Sequence, residues 1–181
     1  DTIPSFLKSS LRHVTLAAYE PEEIFLTAHN DGSIAPGIHK GWIGITVHTQ
    51  NGESDLSGGV MVRLVMPPSF VKGAPTPRAD LNTYQRLTDL APEDQVYEGA
   101  VALKNDGEAP MQLYSVESNT AFLTILDYPK TIAPGASADI RYQLKLEGVD
   151  RSRRALKANF DLLLNDPNAP LRNVLIVVPK R

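Results

Sequence analysis

Every second residue is apolar in a series of short stretches along the chain, the period that turns one side of a β-strand toward a core. Ile24 to Ala28, Gly41 to His48 and Val60 to Val65 carry it in the first third, and Arg63 faces away from the apolar side of its stretch. Tyr97 to Leu103, Met111 to Val116, Ala121 to Leu126, Ile140 to Leu146, Leu156 to Leu164 and Val174 to Val178 continue it, with Leu11 to Ala17 a further candidate. Between them stand turn formers: Asn30-Asp31-Gly32, Asn51-Gly52, Asn105-Asp106-Gly107, Pro134-Gly135 and Asn165-Asp166-Pro167. Long helical periodicity is missing. Ala79 to Leu90, short and polar, reads as a linker with one helical turn at most. Short strands spaced by turn signals predict an all-β sandwich or barrel.

Residues 67–78 break the rhythm with four prolines in twelve positions, the composition of a stiff extended connector. The predicted organisation is therefore a short domain over 1–68, a Pro-rich linker over 69–79 and a second domain over 80–181. The second has room for the seven strands and roughly 100 residues of an immunoglobulin-like β-sandwich. The fold class expected is all-β, two such sandwiches in tandem, with the first short or incomplete. A sheet as small as the first domain allows would expose an edge or an apolar face, and so needs a neighbour or a partner. A weak repeat links the halves: Ile24 aligns with Ile140, Ile43 with Phe160 and Val60 with Val174.

Bulk properties narrow the function. The chain has 181 residues, 42% of them hydrophobic, enough for a real core. A net charge of −3 argues against a nucleic-acid ligand, which needs clustered cations to displace counterions from phosphate. No run approaches the length needed to cross a bilayer, so no transmembrane segment is expected. The absence of cysteine removes thiol catalysis, thiolate metal sites and disulfides.

Candidate chemistry is thin. His13, His29, His39 and His48 are too scattered for a metal site, and Asp31, Glu53 and Asp55 do not form a calcium loop. No Gly-x-Ser-x-Gly element frames a nucleophile, and Glu22-Glu23 and Glu93-Asp94 fall in turns beside proline. The expectation is a non-enzyme, with no catalytic residue, metal or cofactor. Arg151, Arg153 and Arg154, with Lys157, make the one basic cluster, either protecting an edge or meeting an anionic partner. Trp42 is the only tryptophan and by parity shares its face with Gly44 and Thr46. It can stack on a sugar, bind a protein, or pack on the second domain or on Phe70 of the linker. Phe160, Leu162 and Leu164 on one strand and Val174, Ile176 and Val178 on the next read as a core hairpin, its turn held by Asn165, Asp166 and Asn168.

Three segments carry a family resemblance: "VALKNDGEAPMQLYSVES" (Val101 to Ser118), "TIAPGASADIRYQLKL" (Thr131 to Leu146) and "FDLLLNDPNAPLRNVLIVV" (Phe160 to Val178). Their order and turn motifs resemble a bacterial envelope domain of unknown function, itself similar to the ASH/Hydin-like and PapD-like branch of immunoglobulin-like sandwiches. Many such domains carry a Cys-Gly-Cys element where this chain has "ESNTAFLTI", so no thiol role transfers. The resemblance implies an exported periplasmic or extracellular protein, anchored if at all through a leader removed ahead of Asp1. The resulting expectation is a protein-binding or structural module of an envelope or extracellular assembly. It would act by edge-strand and apolar-face contacts on a protein partner or a second copy, through Trp42, Phe70, Arg151, Arg153 and Arg154. The alternative is a carbohydrate-binding accessory module built on Trp42.

Overall fold

A computed structural model describes residues 3–10, 15, 23–28, 32–48, 56–88, 90–91, 95–150 and 155–180. Among these the chain is all-β, with thirteen strands and no helix. It divides into two compact units, Asp1–Met66 and Pro67–Arg181.

The first unit holds two antiparallel ladders. Strands β1 (Leu7–Ser9) and β2 (Leu26–Ala28) form one, and β3 (Gly37–Val47) and β4 (Leu56–Met66) form a long ribbon. The candidate strand Leu11 to Ala17 lies, apart from residue 15, outside the described residues.

The second unit contains β5 (Ala79–Leu81), β6 (Tyr84–Arg86), β7 (Val96–Asn105), β8 (Met111–Ser118), β9 (Leu123–Asp127), β10 (Thr131–Ile132), β11 (Ser137–Lys145), β12 (Leu156–Leu164) and β13 (Leu171–Val178). One sheet runs β5-β7-β11-β9 and the other β10-β8-β12-β13-β6. In immunoglobulin lettering these are A-B-E-D and C-F-G, with β10 added beside C and β6 added parallel to G. The unit is an immunoglobulin-like sandwich. Residues 79–90, read from sequence as linker, instead supply β5 and β6, one strand to each sheet. The crossing is short because Asn82 Oδ1 accepts the Tyr84 amide at 3.1 Å and turns the chain between them.

Alternation explains the core. Ile140, Tyr142 and Leu144 of β11 are wholly buried while Arg141 and Lys145 between and beyond them are exposed. Phe160, Leu162 and Leu164 of β12 and Val174, Ile176 and Val178 of β13 are likewise at 0% exposure, so the predicted core hairpin is one. Each such side chain contributes about 1.5–3 kcal/mol through burial. Tyr142 meets Phe160 with ring centroids 6.3 Å apart, and its hydroxyl donates to Gln85 Oε1 at 2.9 Å, a hydrogen bond that joins the two sheets.

The turn motifs prove to be anchors. Asn105 is fully buried: its amide donates to the carbonyls of Ala109 (2.8 Å) and Ile132 (3.0 Å) and its oxygen accepts from Arg78 and Gly107. Asp106 N donates to Arg78 O at 2.8 Å and Glu108 N to Thr76 O at 3.0 Å. The end of the Pro-rich stretch is thus laced onto the sandwich. The outermost strands of the two sheets are short, with two, three, three and five residues.

Candidate functional site

Exposed apolar side chains gather on the β3–β4 ribbon. Its ladder runs from Gly37↔Met66 to Val47↔Leu56, eleven rungs spanning about 35 Å. Directly opposed residues share a face, so one face reads Ile38/Val65, Lys40/Arg63, Trp42/Met61, Gly44/Gly59 and Thr46/Ser57. The other carries Ile43/Val60, Ile45 and Val47. Trp42 is 54% exposed and Met61 66%, while Val60, Ile45 and Val47 are about half exposed on the opposite face. Among the described residues no third strand joins this ladder.

The indole has a defined seat. A Cβ on Gly59 would run into Nε1 and Cε2 of Trp42, so the ring lies across the bare backbone of Gly59 with its outer side toward solvent. Across the rung, nothing lies within 4 Å of where a Cβ on Gly44 would stand. The glycines therefore make a flat floor, covered on the β4 side and open on the β3 side. On the opposite face of the ribbon Gly41 admits the ring of Pro4, and Phe6 packs on His39 at 6.2 Å between centroids. Ile3 to Phe6 and Ile38 to Trp42 line an open groove of about 680 Å³. His39 Nε2 donates to the Ala35 carbonyl at 2.9 Å, which ties the ring to its own loop.

Trp42 stands where the sequence parity put it, on one face with Gly44 and Thr46. Phe70 belongs to the second unit, ahead of β5, and is 43% exposed. Arg151, Arg153 and Arg154 lie outside the described residues, as do His13, His29, Asp31, Glu53 and Asp55. Met61 and the two-glycine floor escaped the sequence reading. Their signal was present: if Arg63 faces away from the apolar side of its strand, so does Met61 two residues earlier. Among the described residues no three His, Asp or Glu side chains converge as metal ligands. No helix among them is long and apolar enough to cross a membrane.

Comparison with known proteins adds the fold and no activity. No family model matches the chain, and no curated protein matches it. A crystal structure of a protein of unknown function from Porphyromonas gingivalis W83 is similar over 98% of this chain and 81% of that one, at 26% identity and a TM-score of 0.86. An ASH/PapD-like domain of human CEP192 covers 65% of this chain and 93% of its own at 10% identity and a TM-score of 0.44. The Vibrio cholerae VesB protease covers 57% of this chain and 32% of its own, at 12% identity and a TM-score of 0.43. The first of these likenesses runs through both units.

Proposed function

We propose that this chain is a non-enzymatic binding module of a bacterial envelope or extracellular assembly, and that the β3–β4 ribbon is its contact surface. The observation that carries this reading is the contrast between the units. The sandwich buries its apolar faces and ends in short strands, whereas the ribbon keeps Trp42 and Met61 side by side in solvent. Clustered exposed apolar groups on a folded protein mark an interaction surface, and Trp is among the residues that dominate such contacts. Among the described residues no third strand flanks the ribbon, which adds the option of strand addition. Similarity to a Porphyromonas gingivalis protein supports a bacterial setting. The envelope placement rests on the resemblance of residues 101–178.

The test is recovery of a partner from the source envelope with wild type and with Met61→Lys, a change in an exposed side chain that leaves the sandwich untouched. Loss of one defined partner supports the reading; equal recovery by both proteins sinks it. A second reading, glycan binding, is favoured by the flat indole beside the open Gly44 floor and the hydroxyls of Thr46 and Ser57 on the next rung. Retention on a glycan array that disappears in Trp42→Ala would select it.

A further inference from the structure

Among the described residues of the second unit one pair of strands runs parallel, and it joins the start of the sandwich to its end: β6 with β13. Tyr84, Gln85 and Arg86 sit beside Leu175, Ile176 and Val177. Leu175 N donates to Thr83 O at 2.9 Å and Leu87 N to Val177 O at 3.1 Å, so bonds bracket the pair at both ends. The chain enters the pair from β5 and leaves it through Val178, at opposite ends of two parallel strands. A pull between entry and exit therefore slides one strand along the other and strains the bonds of the pair together. A pull across the open end of an antiparallel hairpin meets its rungs one at a time.

Side-chain burial does not account for β6. Tyr84 and Arg86 are exposed, and the half-buried Gln85 accepts the Tyr142 hydroxyl. What the strand adds is backbone pairing between entry and exit. Before a pull reaches it, a second set of anchors resists. Thr76 O and Arg78 O accept from Glu108 N and Asp106 N, β5 pairs with β7 from Ala79↔Asn105 to Leu81↔Leu103, and the Asp166 carboxylate holds Ala79 N. The covalent path from the ribbon to the sandwich runs through residues 67–78. We propose that the second unit carries tension: a pull on a partner held by the ribbon passes along that stretch and is resisted by the β6–β13 pair. The source of the pull rests on the binding reading; the resistance does not.

Single-molecule force spectroscopy on the full chain reads that resistance. The chain has no cysteine, so introduced thiols are the only attachment points. Ser69→Cys with Lys180→Cys pulls along the parallel pair. Lys157→Cys with Lys180→Cys opens the β12–β13 ladder from its Leu156↔Val178 end. All three replaced side chains are exposed. At one loading rate the first attachment should require a force at least about twofold higher, because its bonds must break together. Leu175→Pro removes the amide that donates to Thr83 O. It should lower the first force toward the second and leave the second unchanged. Denaturant titration has no direction, so both double-thiol proteins should share one midpoint. Equal forces along the two directions overturn the proposal, as does a Leu175→Pro protein that resists like wild type. The comparison of directions keeps every backbone group and decides the matter if that variant fails to fold. Neither pull involves a partner, so failure here leaves the binding reading standing.

Discussion

The carboxylate of Asp166 accepts a hydrogen bond from the Ala79 amide at 2.9 Å, joining positions 87 apart in the chain. The same wholly buried carboxylate accepts from Asn168 N at 3.0 Å and lies 3.5 Å from Arg172 Nη2. One side chain thus closes the β12–β13 turn and holds the start of β5 to it. Asp166→Ala leaves two amides and a guanidinium without their acceptor and is expected to cost about 3 kcal/mol. Denaturant titration measures it. A cost below about 1 kcal/mol would show that water replaces the carboxylate.

Gly107 lies against the backbone of Thr76, Pro77 and Arg78, which a Cβ would strike. Backbone cannot swing aside as a long side chain can, so Gly107→Ala should cost about 2 kcal/mol or more. Gly44→Ala enters open space in an ordinary strand conformation and should change stability by less than about 0.5 kcal/mol. Thermal melts of the two variants side by side decide the point; equal melting temperatures would contradict the close approach at Gly107.

Lys104 donates a hydrogen bond to Asp106 at 2.6 Å. That bond, and then the attraction between the two charges, hold its pKa above the ordinary lysine value. The folded value is the higher, so the pair favours the fold fully below the ordinary lysine pKa. The contribution is present in full at neutral pH and is lost as pH rises through the folded value, in the alkaline range. Titration of the Lys104 side chain by NMR should show the raised value in wild type and the ordinary one in Asp106→Asn. The same value in both proteins would remove the pair.

Two rungs that the sequence repeat aligns test what burial adds. Ile43 faces Val60 in the ribbon and Phe160 faces Val174 in the sandwich. Phe160→Ala empties a site at 0% exposure against Tyr142 and should cost about 3–5 kcal/mol. Val60→Ala, at a position 55% exposed, should cost less than about 0.5 kcal/mol in the isolated chain. Comparable losses in a urea series would mean that the ribbon face is covered in solution.

That pair of rungs also divides what could be read in advance from what could not. Period-two alternation in Gly41 to His48, Val60 to Val65, Ile140 to Leu146 and Phe160 to Leu164 determined strands, their faces and the all-β class, because a strand has only two sides. Turn residues at 105–107 and 165–167 located the connections for the same local reason. Strands β5 and β6 stayed hidden: three residues are too few to show a period, and their pairing with β7 and β13 is what makes them strands. Nor could alternation tell an open face from a closed one. Phe160 is buried because β7 and β11, distant in sequence, form the facing sheet, whereas Trp42 and Met61 stand exposed at 54% and 66%. Local pattern chose the faces of each strand. Only the packing of one sheet on another decided which of them became core and which stayed exposed.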